Sequence, residues 1–584
     1  MTGKNRLFYG DNLKVLKERI ATESIDLIYL DPPFNSEAVY NVTFAGAGDA
    51  SAQIHAFDDT WKWSVETGQQ FDFLVNGGGL PEKPAEALRA IRALVRETPL
   101  TAYMTNMAPR MVELHRVLKA TGSLYLHCDP TASHYLKVML DAIFGPKCFR
   151  SEIIWRRTGA HGKARRFTPV HDVILFYTKT DGDNYTWNRP TLPYMKGHVE
   201  DYFEQDGDQW HTAYYGNVLT GSGTRGGESG KVWKGFDPTA KGRHWAIPGK
   251  LVEDCGEDFT GMSQHEKMDR LFELGYITIT PGEAWPMYQH TIKPSDGVTA
   301  PDIWAYQPYT EGTVFDLDSP EFSSPLGIDA DVRWLSPKDR ERLGYPTQKP
   351  VGLLERIIAA SSNPGDLVMD PFCGCGTTMD AAIRLGRRWV GIDITYIAVD
   401  LIRNRLRTTH GASIDATYDV LGLPEDLAAA HDLFERDPLE FERWAVSLVR
   451  GTPNTKQVGD RGRDGIVRYY RGKRQKPGRI VVSVKGGRQL NPNMVRDLAG
   501  VIASDDTLDG GIMVTRYVPT RGMKQAAAEA GSFTDVVGNM YPRVQLLTIE
   551  ELLSGERADT PPVIPPYTEA RPVEEVVEQL DLGF

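Results

Sequence analysis

Asp31-Pro32-Pro33-Phe34 is the stretch whose residue types point most directly to chemistry. It follows Ile25-Asp26-Leu27-Ile28-Tyr29-Leu30, where five of six residues are apolar or aromatic, the composition of a buried parallel strand. Neither proline can continue a sheet ladder, so the strand is expected to end at Asp31. That sets a carboxylate, two prolines and an aromatic ring at a strand's carboxyl end, where open α/β sheets place their ligands. The chemistry this suits is alkylation of an exocyclic amine. The amino nitrogen of adenine is a poor nucleophile because its lone pair is delocalised into the ring. The Asp31 carboxylate and the Pro32 carbonyl could accept both amino hydrogens and favour a pyramidal nitrogen, while Phe34 stacks on a base swung out of the duplex. A strand-terminating turn accounts for Asp-Pro-Pro without any chemistry, so the tetrapeptide alone leaves both readings open.

The elements that would position it alternate strand and helix, an α/β signature. Leu7-Phe8-Tyr9-Gly10-Asp11 opens as a short strand and turn, and Leu13, Leu16 and Ile20 mark a helix. Residues 35–84, with Trp61 and Trp63, read as irregular. Helical periodicity runs from Lys83 to Lys119, with Gly122 as its stop, and Ser123–Cys128 is another buried strand. A helix at Leu136–Phe144 and strands at Ile153–Trp155 and Val173–Tyr177 follow. Six Lys/Arg against one acid between Arg150 and Arg166 suggest a basic loop suited to phosphate contacts, or a solvated surface loop. Residues 187–334 hold seven of the twelve tryptophans among glycines and prolines, and read as an inserted irregular domain.

A second chemical constellation lies far along the chain. Thr347-Gln348-Lys349-Pro350 leads into a helix from Val351. Leu367–Asp370 is a strand, Pro371–Thr378 a glycine-rich turn, and the strand Trp389–Asp393 ends in an acid. Strand, glycine turn, helix, strand and acid make the nucleotide-binding half of a doubly wound sheet. It is neither the dinucleotide fingerprint, which needs a third glycine, nor a P-loop, which needs Gly-Lys-Ser/Thr.

Together, Asp31-Pro-Pro-Phe34 and Asp370-Pro-Phe-x-Gly-x-Gly376 resemble the amino-directed DNA methyltransferases that use S-adenosylmethionine. The order of the motifs is that of the circularly permuted beta group, and the resemblance spans about residues 5 to 408. It implies a Rossmann-like sheet in which Asp31, Pro32, Pro33 and Phe34 bind the target base. It also implies that Asp11, Phe372, Gly374, Gly376, Thr377 and Asp393 line the cofactor, with Asp393 on its ribose. Asp370 would orient the loop or meet the methionine amine, and Thr347 and Lys349 would close the methionine end. An Asp-Pro-Pro-aromatic tetrapeptide is typical of N6-adenine enzymes, whereas N4-cytosine enzymes more often begin with serine. Double-stranded DNA is the implied partner, a homodimer would suit the group, and no metal is needed for methyl transfer.

The C-terminal part resembles Mrr-type modules of the restriction-endonuclease-like fold. Glu442, Asp464 and Lys485 match that pattern, but Ser483 stands where an acid or amide belongs, leaving a thin ligand set for Mg²⁺ for which Glu442 or Asp460 is the candidate to compensate. A single-chain restriction–modification enzyme, with Mg²⁺ only if this module cleaves, and a non-cleaving DNA-binding module both fit. The expected divisions are a methyltransferase catalytic half (1–186), a target-recognition insertion (187–335), a cofactor half (336–408), a linker (409–437), an endonuclease-like domain (438–553) and a Pro-rich tail (554–584). Gln579–Phe584 resembles the short peptides that dock on the replication sliding clamp, and an ordinary amphipathic helix end fits as well.

At 584 residues the chain exceeds one core. No apolar run approaches the ~20 residues of a membrane span, and the start has no signal-peptide core. Five cysteines do not form a disulfide frame, which suits a reducing cytoplasm. A net charge of −12 argues against non-specific coating of nucleic acid but permits a local basic groove.

Overall fold

The computed structural model describes residues 3–33, 39–43, 53–58, 63–160, 165–206, 209–212, 217–279, 285–288, 291–292, 297–314, 327–336, 339–343, 345, 347–454, 462–471 and 476–564. It divides into two compact units, one of residues 189–301 and 305–330, the other comprising the remainder.

The larger unit is built on a nine-stranded sheet. Its strands are β1 (Asn5–Tyr9), β2 (Ile25–Leu30), β3 (Leu118–Cys128), β4 (Phe149–Arg156), β5 (His171–Thr178), β6 (Ile303–Trp304), β7 (Leu367–Asp370), β8 (Arg388–Asp393) and β9 (Tyr418–Leu421), in the order β6-β4-β5-β3-β2-β7-β8-β1-β9. Only β5 runs antiparallel to its neighbours. The early half of the chain meets the late half where β2 pairs with β7, Leu27 opposite Val368 and Ile28 opposite Met369.

Alternation along β2 fixes both faces. Leu27 and Tyr29 join a core with α1 (Val351–Ser361) and α2 (Thr377–Arg384), whereas Ile28 and Leu30 join one with α3 (Pro99–Val117) and α4 (Ser133–Phe144) on the other side. Burial on both faces explains the near-continuous apolar run in β2.

Several sequence expectations are corrected here. The helical stretch from Lys83 is two helices, Glu82–Val95 and Pro99–Val117, because Thr98-Pro99 restarts the chain. Gly122 lies inside β3 instead of stopping a helix. A Cβ there would sit 2.9 Å from the Asp26 carbonyl oxygen, so the site needs glycine for close strand approach. Residues 35–84 are not all irregular: Val65–Asn76 is a helix capped by Ser64, with Phe71, Leu74 and Val75 buried. Arg150 and Arg156 belong to β4 and not to a loop. Arg150 bonds Thr178 and covers the Tyr185 ring, and Arg156 covers Trp334. Lys163 lies outside the described residues.

The expected linker, 409–437, is structured. Tyr418–Leu421 is the edge strand β9, and α5 (Leu427–Arg436) packs against α6 (Pro438–Leu448). Its Gly/Ala/Asp-rich composition masks the spacing of Leu427, Ala430 and Leu433, which supplies the buried face. After α6 comes a five-stranded sheet, Thr452–Pro453, β10 (Gly465–Tyr469), β11 (Gly478–Lys485), Gly510–Thr515 and Val544–Thr548. Phe441 and Trp444 of α6 lie in one apolar core with Leu7, Val399 and Tyr418, so this module and the nine-stranded sheet share packing. Residues 565–584, including the proposed clamp peptide, lie outside the described residues.

The smaller unit has its own core around Trp233, Trp245, Met268 and Leu271, with the Trp233, Trp245 and Trp285 rings meeting edge to face. Trp187, Trp304 and Trp334 belong instead to the larger unit. Among the described residues no helix is long and apolar enough to cross a membrane.

Gly122→Ala should lower stability by about 1–3 kcal/mol, the range for forcing atoms into a packed core. A denaturant midpoint equal to wild type would show that β2 and β3 can separate freely at this point.

Candidate active site

The carboxyl ends of β1, β2, β7 and β8 lie side by side and open into a cavity of about 410 Å³, within the usual range for small-molecule sites. Asp11, Asp31, Pro32, Pro33, Thr347, Lys349, Asp370, Phe372, Gly374, Thr377 and Asp393 all line it. Two residues expected at the site differ. Gly376 is not in the wall: it is the N-cap residue before α2, at φ +78°, and a Cβ there would lie 2.9 Å from Ile402. Phe34 lies outside the described residues.

Asp31 projects where Pro32 ends the strand. Its Oδ2 is ion-paired with Lys349 Nζ, which also donates to the Thr347 carbonyl at 3.3 Å. Lys349 therefore reaches the end of β2 as well as its own loop. Asp31 Oδ1 is buried and has no hydrogen-bond partner among the described residues. Such an atom is costly unless a ligand donates to it.

The other acids organise the loops. Asp370 Oδ1 accepts from the Phe372 N–H at 3.0 Å and Oδ2 from the Thr378 hydroxyl. Asp393 Oδ2 accepts from the Gly374 N–H at 3.0 Å, and Oδ1 accepts from both the N–H and the hydroxyl of Thr395. The glycine turn is thus tied to the end of β8, and Gly374 adopts φ +48° against the Tyr345 ring, where a Cβ would come within 3.1 Å. Asp11 caps the helix Asn12–Arg19 through the Lys14 N–H. Its Oδ2 is paired with Arg110 at 2.7 Å. Arg110 also holds Asn12, whose amide donates to the Pro371 carbonyl.

Arg110, Asn106, Tyr345, Asn12 and Tyr29 were not among the sequence-derived site residues, yet all line the cavity. Arg110 looked like an ordinary helix cation, and Tyr345 sits in an irregular segment without periodicity. Tyr29 could have been found, because it lies two residues before Asp31 on the same strand face. Its hydroxyl meets His127 Nδ1 at 2.9 Å, and His127 Nε2 meets Asp172 at 3.1 Å, a buried polar string across β2, β3 and β5. Burial pushes the Cys373 and Cys375 thiols up, so they remain neutral in the wall.

In the C-terminal module, Asp464 Oδ2 accepts from the Val484 N–H, joining β10 to β11. Ser483 is buried beside Lys485, and Glu442 is half-buried on α6. Asp460 lies outside the described residues. Among those described, no group of three or more His, Cys, Asp or Glu could hold a metal ion.

Comparison with known proteins gives a family model described as DNA methylase over residues 25–404 and one described as restriction endonuclease over residues 433–554. The chain is 28% identical over 407 residues to the type II methyltransferase M.EcaI of Enterobacter cloacae, covering 69% of each chain. It is 57% identical over 61 residues to the DNA adenine methyltransferase YhdJ of Escherichia coli, covering 10% of this chain and 21% of that one. Among solved structures, a putative DNA modification methylase from Thermus thermophilus, complexed with S-adenosyl-L-methionine, aligns at 14% identity and TM-score 0.31, over 71% of this chain and 98% of that one.

Burial pushes Asp370 up to about 7 and Asp393 up to about 6. The folded chain then holds protons that the unfolded chain has released, so these groups favour folding below about pH 4 and lose that contribution as pH rises through their folded values. Asp370→Asn keeps the Thr378 contact, since that hydroxyl can reverse to accept. Its melting temperature should exceed that of wild type at pH 8, by roughly 2–4 °C per kcal/mol relieved, with the gain vanishing near pH 4. A gain independent of pH would show that ionisation of Asp370 is not the cause.

Proposed function

Because the chain belongs to the DNA methylase family, whose model matches more than half of its length, we propose that it methylates the N6 amine of an adenine flipped out of double-stranded DNA, with S-adenosylmethionine as donor. The observation that carries this is Asp31 Oδ1, a buried acceptor with no partner among the described residues, on a residue that lines the cavity.

The cofactor fits the residues present. Asp393 and Asp11 offer carboxylates for ribose and adenine-side contacts, and Gly374 keeps the wall open where a side chain would meet Tyr345. Asp370 orients the turn through Phe372 and Thr378. Bound S-adenosylmethionine supplies a methyl group already activated by its sulfonium.

This chain supplies position and electrostatics. Lys349 fixes Asp31 Oδ2, so the carboxylate presents Oδ1 in one direction. Oδ1 accepts one amino hydrogen and the Pro32 carbonyl the other, drawing the nitrogen lone pair out of conjugation. Methylation of a neutral amine releases one proton, and the Asp31 carboxylate stands ready to take it. Phe34 would stack on the base.

Adenine is favoured over cytosine by Asp31 at the head of the tetrapeptide and by the adenine specificity named for YhdJ. The smaller unit, aromatic-cored and lying in sequence between the early and late strands of the sheet, is the proposed target-recognition domain. The exposed Arg165 and Arg166 are suited to phosphate contacts.

Long-read sequencing of DNA from cells expressing the wild type should show N6-methyladenine at one short motif, absent with Asp31→Ala. Methylated cytosine at that motif would transfer the assignment to the N4 amine, and an unmarked genome would contradict the catalytic reading. In vitro, Asp31→Asn should lower kcat by at least ~100-fold, as for loss of a transition-state acceptor. Its S-adenosylmethionine affinity should stay within a few-fold of wild type, because Asp31 faces the base.

A further inference from the structure

Glu440 is the third residue of α6, the first complete helix of the segment that matches the restriction-endonuclease model. A carboxylate at this place on a surface helix would ordinarily point to water, where it complements the helix dipole. Instead it is 7% exposed. Its Oε1 accepts from the Tyr9 hydroxyl at 3.1 Å and from the Tyr396 N–H at 2.9 Å, and its Oε2 accepts from Arg443 at 3.2 Å.

Both Oε1 donors belong to the nine-stranded sheet's unit and abut the cavity wall. Tyr9 ends β1 and is followed by Gly10, whose N–H donates to the Asp393 carbonyl at 2.9 Å. Gly10 and Asp11 line the cavity. Tyr396 begins the helix Tyr396–His410 and follows Ile394 and Thr395, which line it from the other side. Its N–H is one of the four that a helix start leaves unsatisfied. Glu440 therefore caps that helix from outside while holding the end of β1, and one carboxylate ties together the two turns that carry Asp11 and Asp393.

The surrounding packing fixes this carboxylate in place. Phe441 and Trp444 flank it in the core shared with Leu7 and Val399, and Asp437 caps α6 through the Glu440 N–H at 3.0 Å. Burial and the nearby Glu440 charge push the Tyr9 phenol far up, so it stays a donor.

We propose that Glu440, supplied by the endonuclease-like module, is a positioning residue of the methyltransferase's cofactor site, so that cofactor binding and docking of that module are one linked equilibrium. This rests on the reading of the cavity as an S-adenosylmethionine site. Linkage makes the coupling reciprocal: what the module does for cofactor affinity, the cofactor does for the module.

The test uses the full-length chain. Calorimetric titration with S-adenosylmethionine should show Glu440→Ala weaker than wild type by ~10-fold, within the usual range of coupling between sites. Glu440→Gln should recover most of the affinity, because its amide oxygen still accepts both hydrogen bonds. In steady state the Glu440→Ala defect should appear in KM for S-adenosylmethionine, with kcat at saturation little changed. Saturating S-adenosylmethionine should slow proteolysis within residues 433–554 of the wild type, and less so in Glu440→Ala. Tyr9→Phe, which removes one hydroxyl, should weaken binding by ~3-fold and keeps the idea testable should Glu440→Ala not fold, since one hydrogen bond contributes about 0.5–1.5 kcal/mol. Wild-type affinity in Tyr9→Phe and in folded Glu440→Ala, together with equal protection of the module, overturns the inference alone. A wild type that binds no S-adenosylmethionine overturns the functional reading, and this inference with it.

Discussion

The ion pair between Asp31 and Lys349 joins residues 318 positions apart, and the chemistry proposed for the cavity depends on it. Asp31 ends a strand of the early half of the chain, and Lys349 precedes the first helix of the late half. Neither half contains a site alone. Pairing of β2 with β7 brings them into register, and the salt bridge then fixes which carboxylate oxygen is spent on the protein and which is left for a ligand. A buried pair of this kind is weak evidence for stability, since desolvation offsets most of its Coulombic gain. What it provides is direction, and a direction-sensitive acceptor is what a poorly nucleophilic amine requires.

The same crevice gathers Asp11, Asp31, Asp370 and Asp393 around Lys349 and Arg110. Two of these acids are held at pKa values near neutrality by burial. An apolar wall would be more stable at neutral pH. A ligand rich in hydroxyl and ammonium donors would repay this desolvation on binding. Tyr345, Met107, Leu354, Phe372 and the two neutral cysteines are part of the apolar remainder of the wall, so the charge is concentrated in a few directions.

The fold was legible where sequence periodicity and local chemistry coincide. β2 shows its burial on both faces as a near-continuous apolar run, and the 370–376 turn shows its tight packing against Tyr345 and Ile402 through glycines. Asp31 and Asp393 could be read as strand-terminal acids because the strands before them were unambiguous. Arg110, Asn106 and Tyr345 were not legible, because their roles arise from elements that meet only in three dimensions and their local patterns are those of any helix or loop. The stretch 409–437 failed for another reason. Its alanines bury little area each, so the helical stripe of α5 is faint, and β9 owes its place to the exposed edge of β1 more than to its own residues.

That last element changes how the fusion should be understood. Were 409–437 a flexible tether, the two modules would fold and act separately, and the methyltransferase would lose nothing with its neighbour removed. Instead β9 completes the sheet beside β1, α5 packs on α6, and α6 enters the core beneath β1 with Phe441, Trp444 and Glu440. Removing a buried tryptophan of this kind costs about 3–5 kcal/mol, a large share of the stability of a typical domain. The C-terminal module thus supplies packing and a capping carboxylate to the methyltransferase sheet, whatever else it does with DNA. A module in that position can be kept for its structural contribution even where, as with Ser483 at the expected acid position, its own metal-binding set is thin. With Glu440 acting as proposed, cofactor affinity would depend on a residue that no methyltransferase motif contains.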